Sequence, residues 1–315
     1  MTADVSIPGT PVEEQPAQVA VRPRRKGRTR TRSFVTGVAG VLALGVAWEL
    51  YKAVAPEQGV VIGGVTVLPR TNDIAMPHLW TMLTRALEPV NSSPDAQPLW
   101  LAVLGACAFS LGVATVGWFV GVAVGALLAV VMQRLRTARE AILPWVVLSQ
   151  TVPLIALAPL VRRWGAQLEI GSFDWQDWMS VAVIASYLAF FPVSIGALRG
   201  LSSPDAVHLD LMRAYGATWG TTLRSLRIPA SVPYLLPALR LAAANAVVGA
   251  IVAEVSIGLR GGIGRMIVEF GASGSSDPAK QFAPIFGAVL VGLVAAGAVT
   301  LIGVGLRRYR FAEVS

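Results

Sequence analysis

Between Leu101 and Gln133 the chain carries no charged residue. As one helix this stretch would run about 50 Å at 1.5 Å per residue, longer than the roughly 30 Å hydrocarbon layer of a bilayer. Two spans and a turn would need about forty residues, more than the stretch supplies. The reading is therefore an interfacial approach segment over 98–108 that runs into one span over 109–132. Comparable apolar runs recur along the chain. Of its 315 residues 54% are hydrophobic and 14% charged, where a soluble domain carries about a quarter charged. A chain of this kind is expected to cross a membrane several times.

Six spans follow from the apolar runs, at 34–54, 109–132, 141–161, 179–198, 234–256 and 282–306. The second holds Gly117, Gly121 and Gly125, a spacing that lets another helix come close. The third is interrupted by Pro144, Pro153 and Pro159. Before the spans, residues 1–33 contain "RPRRKGRTRTR" and lack apolar periodicity, so a disordered basic tail is expected. Residues 55–108 read as an external loop with an amphipathic helix from about Pro77 to Leu87. A basic loop is expected over 133–140. The segment 162–178 is polar and aromatic, and its Trp164, Trp175 and Trp178 suit an aromatic belt.

The net charge of +8 does not point to nucleic acid, because the basic residues sit at the ends of apolar runs rather than in one patch. With the N-terminus placed in the cytoplasm, 17 of the 26 Lys and Arg fall in inside segments and eight in outside ones, with Arg240 in the fifth span. The bias favours both termini inside. Cys107 is the single cysteine and lies in an apolar run, so it reads as a small buried hydrophobe. Neither His78 nor His208 has a Cys or His neighbour at metal-ligand spacing. No protease, hydrolase or P-loop motif is present, so no catalytic residue, metal site or cofactor is expected.

The stretch "DLMRAYGATWGTTLRSLRIPASVPYLLP" (Asp210–Pro237) stands out as a polar, helix-prone loop between greasy spans. Ser203-Pro204-Asp205 reads as a helix start with a capping Ser, Gly216 as its stop, and Ile228-Pro229 as the end of a second short helix, about Thr218 to Leu226. A helix–Gly–helix of this kind over 203–231 has the features of a docking element.

Here the sequence resembles the inner-membrane permease subunits of binding-protein-dependent ABC importers. Their cytoplasmic "EAA" loop reads about E-A-A-x3-G with Ile-x-x-Pro-like residues a dozen positions on. Gly216 and Pro229 have that spacing, while Asp210 stands where Glu is usual and Leu211 and Met212 replace the alanines. "LSQTVPLIALAPLV" (148–161), "VTVLPRTNDIAMPHLWTML" and "LPALRLAAANAVVGAIVAE" followed by "GGIGRMI" are similar to the branch that imports nitrate, taurine, alkanesulfonates, thiamine-precursor pyrimidines and riboflavin. Arg162-Arg163 is a departure from that branch.

The resemblance implies an all-α integral membrane protein. Six transmembrane helices, both termini inside, would form a type I importer permease core over 109–310 with a cytoplasmic coupling-helix loop. It implies no enzymatic activity of the chain's own and ATP bound by separate ABC ATPase subunits. A second permease copy or a paralogue and an extracytoplasmic binding protein would complete the assembly, carrying a small organic molecule or anion. Asp210, Ala214, Gly216, Ala217, Ile228 and Pro229 would form the ATPase-coupling loop. Gln150, Thr151, Asn245 and Glu254 are candidates for lining the pathway, against interhelical hydrogen bonding for the first three and structural pairing for Glu254. Arg162 and Arg163 are candidates for contacting the binding protein or an anionic substrate, against lipid head groups. The alternative is an ion-gradient-driven secondary transporter, which predicts internal repeats and mid-span carboxylates; neither is evident.

Overall fold

The computed structural model describes residues 29–62, 64–168 and 171–305. The expected basic tail lies outside the described residues up to 28, and from Thr29 its end already belongs to helix α1 (Thr29–Val54). Arg is a good helix former, so the last arginines of the tail do not break the helix. The chain divides between Ala53 and Val54 into two compact units, α1 closing the first. "RRYR" at 307–310 also lies outside the described residues.

The second unit opens with a two-stranded antiparallel hairpin, β1 (Val60–Ile62) and β2 (Val65–Leu68), where only a loop was expected. The β-branched run Val60-Val61-Ile62 followed by glycine is a hairpin signal, and Gly64 takes φ +82°. Thr71 is buried at its base and donates to Ala55 O and Pro56 O, both at 3.1 Å. Helix α2 (Leu79–Leu87) follows and inserts Met82 into the protein.

Helix α3 spans Leu99–Arg134 without a break. The expected approach segment over 98–108 is therefore not a separate element: no proline or charge interrupts the run, so the helix simply continues, for about 54 Å. After Leu135 alone, α4 (Arg136–Leu148) begins, so the expected 133–140 loop is mostly helical. A short 3-10 turn (Ser149–Thr151) links it to α5 (Leu154–Gly165). The two helices are bent by 104° at this turn. Helix α6 covers Asp177–Leu201, α7 Ala206–Ala214 and α8 Trp219–Thr222. One π-helical turn (Leu223–Arg227) joins α8 to α9 (Ile228–Ile257). Helix α10 (Ile263–Ala272) and α11 (Ala283–Gly305) complete the order. Among the described residues five helices are long and apolar enough to cross a membrane, and the bent α4–α5 pair makes a sixth if taken as one span.

The core is the packing of α3, α6 and α9, and it is built on small residues. A Cβ at Gly117 would sit 2.4 Å from Ala185 Cβ, one at Gly121 2.7 Å from Ala189 Cβ, and one at Gly125 2.6 Å from Phe190 O. The rising numbers on both helices mean that α3 and α6 run parallel. Helix α9 runs antiparallel to α6, with Gly200 against Ser231, Gly196 against Ala238 and Gly249 against Ala185. Ala114, Ala185, Ala189, Ala246 and Ala250 fill the space between the three helices. Lipid offers no hydrophobic drive for helix association, so this close backbone approach is what holds the helices together.

Replacing Gly121 with Val should lower stability by about 2–3 kcal/mol through overpacking, read as a fall in the thermal unfolding temperature of the purified protein. Gly112→Ala, on the same helix with no atom within 4 Å of the added Cβ, should leave it unchanged or raise it.

Candidate functional site

The loop after α6 is built in two parts. Helix α7 ends in a left-handed glycine: Gly216 has φ +67°, its N–H bonds Arg213 O at 2.9 Å, and the Ala217 N–H bonds Met212 O at 2.9 Å. This pairing satisfies the last carbonyls of the helix. Asp205 is the N-cap residue. The expected capping Ser203 does something else: its hydroxyl donates to Gly200 O at 2.8 Å and Ala230 O at 3.4 Å, joining α6 to the start of α9. None of α7 is buried. Val207, Leu211 and Tyr215 recur every four residues and are 76%, 52% and 81% exposed, an apolar stripe on a free helix. Asp210 and Arg213 pair at 2.9 Å on the surface, which contributes little to stability.

The second part is not an independent helix. Thr218 caps α8 by accepting from Thr221 N, and from Trp219 the chain stays helical to Ile257. Ile228-Pro229 therefore does not end a helix, contrary to expectation. The π turn absorbs the proline: Ile228 N–H reaches back five residues to Leu223 O, and Pro229 occupies the first turn of α9, where its missing donor costs little. Of the loop candidates, Asp210, Ala214 and Gly216 are exposed beside the apolar stripe, Ala217 is half-buried, and Ile228 and Pro229 lie on the continuous rod.

Prolines free backbone carbonyls inside the spans, and neighbouring helices satisfy them. At the turn before Pro153, Ser149 O accepts from the Val152 N–H at 3.3 Å and from the Tyr187 hydroxyl of α6. Pro192 denies Leu188 O its fourth-residue donor, and that oxygen accepts from Asn245 Nδ2 of α9 at 3.3 Å. Asn245 is thus engaged in the α6–α9 contact. Gln150 Nε2 donates to Ser149 Oγ at 3.2 Å and Thr151 Oγ1 to Leu148 O at 2.8 Å, so both sit at the bend between α4 and α5. A cleft of about 400 Å³ opens between α6 and α9, lined by Phe191, Ile195, Arg199, Tyr234, Pro237 and Leu241. Neither Gln150, Thr151, Asn245 nor Glu254 lines it.

At the opposite end of the bundle Glu254 is wholly buried. Its Oε1 accepts from Ser110 Oγ at 2.7 Å and its Oε2 from Gly264 N at 2.8 Å, while Ile263 N donates to Ser110 Oγ at 2.9 Å. The carboxylate of α9 therefore caps the N-terminus of α10, where an anion is favoured, and a serine of α3 completes the node. Gly262 is needed here, since a Cβ would fall 2.4 Å from Glu254 Cδ. Nothing in the sequence pattern singled out Ser110 or Tyr187, because neither has a signature apart from its partner. Arg162 is likewise committed within the chain: Nε and Nη2 hold the two oxygens of Asp177 at 2.7 and 2.8 Å, a paired geometry. Arg163 is exposed and makes no hydrogen bond among the described residues.

Comparison with known proteins places these features in context. Residues 121–310 match the family described as binding-protein-dependent transport system inner membrane component. The chain is 29% identical over 262 residues to the formylaminopyrimidine transport permease protein ThiX of Halalkalibacterium halodurans, covering 82% of this chain and 89% of that protein. It is 27% identical over 197 residues to SsuC of Bacillus subtilis, an aliphatic sulfonates transport permease by name, covering 62% and 67%. With the riboflavin transport system permease protein RibX of Chloroflexus aurantiacus it shares 29% over 134 residues, 42% and 46% of the two chains.

Glu254→Ala should cost about 3 kcal/mol, because it leaves the Gly264 N–H and the Ser110 hydroxyl buried and unpaired. Glu254→Gln, which keeps one acceptor, should cost less. Thermal unfolding of the purified variants checks the order.

Proposed function

The chain belongs to the family of binding-protein-dependent transport system inner membrane components, a multi-pass membrane family, and from that premise we propose that it is the pathway-forming subunit of an ATP-driven importer, coupled to a separate ATPase through α7. The observation that carries the coupling is the stripe Val207–Leu211–Tyr215 on a helix with no buried residue. An apolar stripe at helical spacing is suited to a partner's groove, and Gly216 ends the helix sharply so that it projects as a short unit.

Both termini and the α7 loop lie in the cytoplasm on this reading, supported by the Lys and Arg bias. Two copies, or one copy and a paralogue, flank the pathway. ATP closes the ATPase pair, α7 is displaced, and the spans rock between inward- and outward-facing states. An extracytoplasmic binding protein delivers the cargo to the opposite end, where Arg163 offers an exposed cation with no hydrogen bond among the described residues. The relatives' names make a small organic molecule or anion the cargo class, with formylaminopyrimidine-like, sulfonate and flavin compounds the first to assay.

Co-expression with its candidate ABC ATPase should give a complex that co-purifies. Gly216→Val is strained at positive φ and should reorient α7, lowering ATP-dependent uptake at least about tenfold while the bundle remains folded. Unchanged uptake in Gly216→Val would refute the coupling role.

A further inference from the structure

The base of the loop is seated on two other helices at once. The Arg134 guanidinium of α3 lies 4.7 Å above the Trp219 ring of α8. The Arg227 Nη1 in the π turn donates to Leu201 O at 2.7 Å, one of the last carbonyls of α6, where a cation is favoured by the helix dipole. Leu223 of the same turn packs against the small cluster that Ala129 and Met132 of α3 form with Ala197, Leu198 and Leu201 of α6. By contrast α7, beyond Gly216, contributes no buried residue. The loop is therefore a free handle on a fixed base, and the base is continuous with α9.

That bond to Leu201 O is the guanidinium's one hydrogen bond among the described residues; its Nε is buried without an acceptor. A buried guanidinium edge left unsatisfied is costly, and it stays because the bond at Nη1 places it there.

We propose that Arg227 is a positioning residue that pins the end of α6 to the base of the loop: with Leu201 held by the Arg227 bond, a displacement received by α7 is passed to the packed α6–α9 body instead of being absorbed in the linker 202–205. The inference rests on the importer reading for the source of the displacement.

The test uses the complex with its ATPase and binding protein, reconstituted in proteoliposomes. Arg227→Met keeps the apolar stem of the side chain and removes its donors; Arg227→Lys keeps a cation with N–H donors. The Met variant should still co-purify with the ATPase and hydrolyse ATP, while cargo moved per ATP falls about tenfold; the Lys variant should recover part of the loss. Spin labels at His208→Cys, exposed on α7 beside the stripe, and Arg199→Cys at the end of α6, in a Cys107→Ala background, give a readout that needs no cargo. Their separation should be unchanged by ATP with Arg227 present and should shift with ATP in Arg227→Met. The proposal is overturned if the Met variant transports as much per ATP as the parent, if it no longer binds the ATPase, or if the label separation shifts even with Arg227 present. Absence of ATP-dependent uptake by the parent complex would count against the importer reading, and the label separation would still decide the role of Arg227.

Discussion

The contact on which the rest of the molecule depends is the backbone approach of α3 to α6 at Gly117, Gly121 and Gly125. Inside a bilayer, apolar side chains gain nothing by facing one another rather than lipid, so helices hold together through close packing and hydrogen bonds. Three glycines on successive turns remove the side chains that would keep the axes apart. Alanines at 185 and 189 fill what is left, and Gly196, Gly200 and Gly249 extend the same arrangement to α9. Three helices so joined form one body, to which α10 is tied by Glu254 and α5 by Arg162.

The second constraint is that the bilayer core supplies no water to a freed backbone group. The chain nevertheless carries prolines inside α4, α5, α6 and α9. The carbonyl that Pro192 leaves without a helical donor is met by Asn245 of α9, and Ser149 O at the α4–α5 turn accepts from Tyr187, so α6 is locked to a neighbour on either side. Near Pro229 the solution is local, a π turn that lets the rod continue. Residues at the bends are thus occupied with backbone, while the α6–α9 cleft presents Phe191, Tyr234 and Arg199.

Much of this was legible in the amino-acid order, and the failures share a cause. Gly117, Gly121 and Gly125 announced a close contact by spacing alone, and Gly216 announced the end of α7, because both are properties of the backbone at single residues. The same spacing at Gly196 and Gly200 carried an equal signal that was passed over. Ser203 and Pro229 were misread because their local preferences, capping and helix termination, were outweighed by contacts across the fold, with Ala230 O for the serine and a widened turn for the proline. The partners of Glu254 could not be read at all: Ser110 lies 144 residues away, and only the packing of α3 on α9 brings them together. The pairing of Arg162 with Asp177, 15 residues on, was likewise not singled out by either residue's local pattern.

The central claim is that ATP acts on the face bearing α7 while cargo arrives from the face bearing Glu254 and Arg163. Uptake of labelled cargo by proteoliposomes of known orientation tests it most directly. The account predicts accumulation only when ATP is on the α7 side and the binding protein is on the other. Accumulation driven by an ion gradient without ATP, or by ATP supplied on the binding-protein side, would contradict it.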